Sequence, residues 1–386
     1  MSAGDGPVVV PRVTGTPDCA YLDAALRRAG RTVDVCALAE EPFTDGRSGT
    51  RVVRLRARAG DGTEHKFVLK MVAAGSLFRE ALAALGESPF TEVELFRSGA
   101  LSRLPPPLAC PTIEVARHEE RDEWWILMDD VSAGVVPRGA FDEEKARALL
   151  GGLARLHARY WGRTEELAAI PLGHLDTFTA MVAEPLVARG RGRTPADGWL
   201  RRLADEFVLG RFLPVLLDVL GPDDADFYLR LAEDRAPWLR EIARHPFTFL
   251  HGDIRRANVA FLDGRVMMFD WEAAMRGPAA LDLQWWWMLQ FWAYPPADGL
   301  GPDDREPLRA YYLAKLEEAL APAPLDRADF QRAWEVCWIR ALVTVGVCVV
   351  DPLLEPGHGA EDIARAKHAA REAVARARRA HDAHVR

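Results

Sequence analysis

FLHGDIRRANVAFLDGRVMMFDWE, residues 249–272, gathers the polar chemistry of this chain into one short apolar frame. His251-Gly252-Asp253 opens it, Asn258 follows five residues after the aspartate, and Asp270 closes it. Two apolar runs, 259–261 and 266–269, flank Asp263-Gly264, a pair suited to a tight hairpin turn. Folding at that turn brings Asn258 and Asp270 to the same end, where an amide oxygen and a carboxylate can face one metal ion. Phosphoryl transfer asks for such a set: a carboxylate beside the attacking hydroxyl and hard oxygen donors for Mg²⁺. Isolated His-x-Asp triplets are common, whereas HGD-x4-N running through an apolar stretch into Asp-Trp is rare. The plain alternative is that Asp253 and Asn258 only shape turns.

Outward from this stretch, the upstream half alternates as strands do. In residues 51–58 (RVVRLRAR), Val53, Leu55 and Ala57 alternate with Arg54, Arg56 and Arg58, the pattern of a half-buried strand. Gly60-Asp61-Gly62 then leads into residues 66–71 (KFVLKM). There Phe67, Leu69 and Met71 face one way and Val68 and Lys70 the other, which predicts an antiparallel hairpin. The spacing predicts helices over 18–31 and 90–98 and strands over 112–116 and 123–128. From Asp142 the period becomes helical, with Ala146, Leu149, Leu150, Leu153, His157 and Tyr160 on one face. Phe330, Trp334, Cys337, Ala341, Leu342 and Val345 mark another buried helix, and residues 361–381 a polar terminal one. Strands first and helices after predict an α+β fold, a small antiparallel-sheet lobe joined to a mostly helical one. The expected division is a flexible tail over 1–17, a strand-rich N-lobe over 18–131 and a helical C-lobe over 132–386.

HGDIRRAN resembles the catalytic loop of the aminoglycoside phosphotransferase and choline kinase group of the protein-kinase-like superfamily. FDWE, residues 269–272, resembles its metal-binding motif. LHARYW (156–161) and GPAALDL (277–283) are similar to motifs of the broad phosphotransferase-enzyme branch that includes ecdysteroid-kinase-like proteins. The resemblance covers most of residues 20–290. It implies a protein-kinase-like two-lobed fold and ATP-dependent phosphorylation of a small-molecule hydroxyl with Mg²⁺, GTP being the other candidate nucleotide.

Residue by residue, the resemblance implies Asp253 as the aspartate that orients the acceptor hydroxyl and accepts its proton, with Asn258 and Asp270 holding Mg²⁺. Arg255 stands where relatives place a basic residue facing the transferred phosphate. Lys70 in FVLK matches the lysine that contacts the α- and β-phosphates. Glu92 matches its partner on the next helix, Phe96 four residues on favouring it over Glu94. Gly46, Ser48, Gly49 and Thr50 form the expected nucleotide loop, although the segment is not G-x-G-x-x-G and read alone is a polar hairpin. Residues 126–131 (ILMDDV) resemble the hinge, where adenine would bond to backbone groups of Asp129 and Val131. His251 reads as a structural hydrogen-bonding residue. Glu272 reads as a metal-side or acceptor-side acid or an ordinary surface one, and Asp282 as a brace for the catalytic loop or an acceptor contact. Three adjacent tryptophans, Trp285 to Trp287, cannot all face one core on a helix. Trp285 and Trp286 are therefore candidates for an acceptor-pocket wall, the alternative being burial against neighbouring helices.

Composition narrows the partners. The chain has 386 residues, 49% hydrophobic and 27% charged, which reads as soluble and globular with room for two lobes. A net charge of −8 argues against nucleic acid as a partner, because phosphate backbones attract basic surfaces. Five cysteines without a C-x-x-C pair suggest a reducing cytoplasm, not a disulfide framework or a zinc site. No secretory signal is evident, and the apolar run 341–350 is too short to span a bilayer, so no membrane partner is expected. The substrates expected are alcohols of antibiotics, sugars, nucleosides or related natural products, with antibiotic resistance one context for such a reaction. Two rival functions are a nucleotide-binding module without catalysis and a nucleotidyl-transferring enzyme.

Overall fold

The computed structural model describes residues 10–45, 50–73, 75–137, 141–195, 197–206, 209–293, 305–354 and 359–385. The small lobe begins with β1 (Arg12–Val13), α1 (Cys19–Arg28), β2 (Val35–Asp45), β3 (Arg51–Ala59) and β4 (Glu64–Ala73). It continues through α2 (Leu77–Ala84), α3 (Thr91–Arg97), β5 (Leu108–Ala109), β6 (Thr112–His118) and β7 (Glu123–Asp129). Six strands form one sheet in the order β1-β6-β7-β4-β3-β2. Every pairing in it is antiparallel except β1 with β6. Arg12 and Val13, expected in a flexible tail, instead add that parallel edge strand, pairing with Arg117 and His118. A two-residue strand is too short to leave an alternation in the sequence.

The two faces of this sheet decide where Lys70 points. Val53, Leu55, Phe67, Leu69, Met71, Trp125 and Leu127 pack with Leu22, Ala25 and Leu26 of α1. On the opposite face Val68, Val72, Ile126 and Met128 pack with Val93 of α3. Lys70 lies in phase with Val68 and Val72, so the period of two aims it at α3. Asp18 caps α1 by accepting from the Tyr21 N–H at 2.7 Å.

The large lobe starts with α4 (Glu143–Tyr160), capped by Asp142, whose carboxylate accepts from the Lys145 N–H at 2.8 Å. Then come α5 (Thr164–Ala168), α6 (Leu175–Gly190), α7 (Gly198–Glu206), α8 (Leu209–Leu220), α9 (Pro222–Glu233) and α10 (Ala236–Ile242). The segment quoted first supplies β8 (Phe247–Leu250), β9 (Val259–Leu262) and β10 (Arg265–Met268). After it come β11 (Met275–Pro278), α11 (Ala280–Trp287), α12 (Glu306–Leu320), α13 (Arg327–Val345) and α14 (Ala360–His384). β11 pairs with β8, and β5 joins the β9–β10 hairpin in parallel, tying the small-lobe segment to that hairpin. By length and composition Arg327–Asp351 could cross a membrane, but 83% of its apolar window is buried within the fold. It is the buried helix expected there.

Candidate active site

The β9–β10 hairpin turns on Asp263 (φ 50°) and Gly264 (φ 70°), both left-handed, as a two-residue turn matched to strand twist requires. Val259 then lies opposite Met268, and the Phe269 N–H donates to the Asn258 carbonyl at 3.2 Å. Asn258 and Asp270 are thereby brought to the same end, as the spacing predicted. Asp270 itself is left-handed (φ 65°, ψ 58°), a conformation a carboxylate residue adopts at a cost and one that clusters at functional sites.

Asp253 sits in the loop after β8. Asp282, on α11, braces that loop from behind: its two oxygens accept from the His251 N–H at 2.9 Å and the Gly252 N–H at 2.8 Å. His157 of α4 approaches the same carboxylate at 3.4 Å through Nε2, while its Nδ1 lies 2.8 Å from the Tyr312 hydroxyl. Asp282 is 1% exposed, so it acts as a brace and cannot meet an acceptor. His251 is wholly buried; the Asp253 N–H donates to its Nδ1 at 3.3 Å, and Nε2 donates to the Phe269 carbonyl at 3.1 Å. Both ring nitrogens are thus occupied: Nδ1 shapes the loop and Nε2 ties it to the end of β10. Gly252 (φ 81°) lies so close to that strand's extension that a Cβ would sit 2.0 Å from the Ala273 carbonyl oxygen.

The Asp253 carboxylate is surrounded by donors. Oδ2 accepts from Asn258 Nδ2 at 2.9 Å and lies 3.1 Å from Arg255 Nε; Oδ1 accepts from the Trp285 indole N–H at 3.1 Å. A carboxylate has about four lone-pair directions, which leaves one on Oδ1 for an incoming hydroxyl. Removal from water pushes the Asp253 pKa up and Asp270 adds to this, against the pull of Arg255, His251 and Asn258.

Across the cleft, Lys70 Nζ donates to Glu92 Oε2 at 2.6 Å and to Asp270 Oδ1 at 2.7 Å, the latter contact joining residues 200 apart in sequence. Glu92, not Glu94, is the partner. Burial opposes the Lys70 charge, but Asp270, Glu92 and Glu272 outweigh it and raise its pKa. Burial would raise the Asp270 pKa too; Lys70, helped by Arg255 and His251, instead holds it at about 2.

The donor set fits a magnesium ion that arrives with a nucleotide. Asn258 spends its amide nitrogen on the Asp253 carbonyl and carboxylate, which leaves its oxygen for a metal ion. Among the described residues no cluster of three or more His, Cys, Asp or Glu side chains could hold a metal alone. Magnesium is commonly held by one or two protein oxygens completed by phosphates and water.

Other expected residues divide. Gly46, Ser48 and Gly49 lie outside the described residues; Thr50 is buried at the head of β3. Asp129 binds Arg31 through both oxygens and gives its N–H to the Pro111 carbonyl at 3.0 Å, while the Val131 carbonyl accepts from Gly134 at 2.9 Å. An adenine contact there would therefore fall on the Asp129 carbonyl or the Val131 N–H. Trp286 is wholly buried, packing edge-on against Phe141 and Phe291, and cannot line an acceptor pocket. Trp287 and Trp292 are buried likewise, against Trp334 and Trp338. α11 is enclosed on nearly every side; of its three tryptophans only Trp285 is half-buried, and its indole N–H reaches Asp253. Glu272 does not face an acceptor: it is ion-paired with Arg79 of α2, a residue the sequence did not single out. The only signal for it was an arginine in the apolar helix segment LFREALAA, where burial demands a partner.

The structure resembles choline kinase from Cryptosporidium parvum Iowa II (10% identity, 90% of each chain covered, TM-score 0.48). It also resembles ethanolamine kinase from Plasmodium vivax (12% identity, 92% of this chain and 86% of that one, TM-score 0.47). The choline kinase LicA from Streptococcus pneumoniae is a third (12% identity, 92% and 98% covered, TM-score 0.42). No curated protein matches the sequence significantly. The model of the phosphotransferase enzyme family matches residues 40–303, from β2 past the β9–β10 hairpin and α11. The chain belongs to the phosphotransferase enzyme family and is a small-molecule kinase.

Proposed function

We propose that the protein transfers the γ-phosphoryl group of ATP to a hydroxyl of a small organic acceptor. The observation that carries this reading is the meeting of Lys70, Glu92 and Asp270 within 2.7 Å beside Asp253 and Asn258. Residues 18–131 would hold the nucleotide, and 132–386 would supply the catalytic loop and the acceptor site. Lys70 would turn its ammonium to the α- and β-phosphates while Glu92 keeps it in place. Magnesium, held by the Asn258 oxygen and Asp270, would neutralise phosphate charge when bound. Asp253 Oδ1 takes the acceptor hydroxyl proton as the new O–P bond forms and the bond to ADP breaks. The Arg255 guanidinium, now on Asp253, would turn to the charge that spreads over the transferred group. Positioning and charge neutralisation would supply the rate.

The acceptor would sit against the Trp285 indole. Acidic residues of α9 offer little to a cationic acceptor, because Asp224 is paired with Arg378 and Asp226 with Arg191 and Arg230. A screen of sugar, nucleoside, amino alcohol and antibiotic libraries for acceptor-dependent ADP release, with Asp253→Ala as control, tests the proposal. Mass spectrometry must show a product heavier by one phosphate. A gain of a whole nucleotide would mean nucleotidyl transfer, and tight nucleotide binding without turnover on any acceptor would favour the non-catalytic module.

A further inference from the structure

Lys70 is not the only small-lobe cation to cross the cleft. Arg79, on α2, is 1% exposed. Its Nη1 donates to the Ser76 hydroxyl at 2.8 Å, and its Nη2 donates to the Thr50 hydroxyl at 3.2 Å and to Glu272. One guanidinium therefore joins three pieces: the N-terminal end of α2, the residue that enters β3 from the expected nucleotide loop, and the turn that follows Asp270. The Arg79–Glu272 contact links positions 193 apart in sequence, almost as far as Lys70 to Asp270.

The two cross-cleft pairs differ in what a nucleotide would do to them. Lys70 and Asp270 must loosen their mutual contact, the first toward phosphate and the second toward the metal. Arg79 and Glu272 have no such errand. Their side chains are 1% and 13% exposed, and a buried guanidinium without its carboxylate is costly. Glu272 lies in the short helical turn Trp271–Ala273, whose Trp271 is buried and anchored through its indole N–H to the Met268 carbonyl at 3.0 Å. Holding Glu272 thus fixes the far side of the left-handed Asp270, while Thr50 fixes the exit of the loop.

We propose that Arg79 is a positioning residue that couples the nucleotide grip to the metal grip, making nucleotide and divalent cation bind cooperatively. This rests on the proposed function, and the test separates the two. Calorimetry with a non-hydrolysable ATP analogue, with and without Mg²⁺, would be run on the native protein, Arg79→Lys, Arg79→Met, Glu272→Gln and the double variant Arg79→Met/Glu272→Gln. Native protein should bind the analogue more tightly with Mg²⁺ by a factor within the usual coupling range of about 5- to 150-fold. Arg79→Met and Glu272→Gln should each lose most of that gain while metal-free affinity changes less than about threefold. The double variant should be no worse than either single one, and Arg79→Lys should recover part of the gain. Because the double variant leaves no uncompensated buried charge, it remains the decisive protein if a single variant does not fold. A double variant that keeps the full Mg²⁺ enhancement overturns the coupling role and leaves the kinase reading intact. Native protein that binds no analogue overturns both.

Discussion

Asp253 accepts two side-chain hydrogen bonds, faces the Arg255 guanidinium as an ion pair and keeps one direction open, and each contact has a separable effect. Losing the indole N–H, as in Trp285→Phe, frees Oδ1 to rotate away from the acceptor. A hydrogen bond to a carboxylate contributes roughly 1.5–3 kcal/mol, so kcat should fall by about tenfold or more with KM for the nucleotide unchanged. If Trp285 were only a wall for the acceptor, steady-state kinetics would instead show a raised acceptor KM at constant kcat. The raised pKa of Asp253 sets a second expectation. Its carboxyl must be ionised to take a proton, so kcat/KM should fall on acidification through a pKa above the ordinary aspartate value of about 3.9. Stability moves the other way for this group: the fold favours its protonated form, an advantage present at low pH and lost as pH rises through the raised value. Asp270 is opposite in sign, being held at about 2. Its share of stability is complete above the ordinary value and is lost as pH falls toward 2. A pH profile whose acid limb lay at or below 3.9 would remove Asp253 from the role of base.

At the scale of elements, legibility followed how many neighbours a segment has to satisfy. β3 was readable because one face packs on α1 and the alternation survives, whereas β4, buried on both faces, was readable from the hairpin turn that joins it to β3. The β9–β10 hairpin was readable from Asp263-Gly264, and with it the convergence of Asn258 and Asp270. α2 was missed: eight residues long and dominated by alanine and leucine, it carries too short a pattern to be told from a loop edge. The tryptophans of α11 were misjudged at Trp286, because a helix enclosed on almost all sides has no polar face to mark its orientation. Two glycines test how tightly the catalytic elements are built. Gly264→Ala meets no atom within 4 Å and should cost only the left-handed penalty of about 1–2 kcal/mol. Gly252→Ala adds a clash with the Ala273 carbonyl, so it should destabilise by clearly more and abolish turnover. Urea unfolding of the two variants side by side measures the difference; equal losses would mean that the loop of Gly252 can retreat from the turn Trp271–Ala273.

For the molecule as a whole, local pattern could place each lobe's elements but could not show that Arg79 reaches Glu272, since nothing near either residue in sequence encodes the crossing. Lys70 was easier, because the resemblance supplied both halves of its site. Its position nonetheless creates a stability problem that spans the lobes. Glu92 is 4% exposed on α3 and Asp270 approaches from the hairpin, so removing the ammonium strands carboxylates that were buried against it. Breaking a buried pair by deleting one partner typically costs about 3–5 kcal/mol, whereas removing both charges costs far less. Lys70→Met should therefore lower the thermal midpoint markedly, and Lys70→Met/Glu92→Gln should recover much of the loss without recovering activity. Excess ATP with Mg²⁺ should raise the midpoint of the native protein, a ligand at about 100 times its Kd adding about 2.7 kcal/mol. Neither variant should respond, because the phosphate contact is gone in both. A double variant that is stable and still responds to ATP with Mg²⁺ would mean that Lys70 is structural and that the nucleotide is held elsewhere.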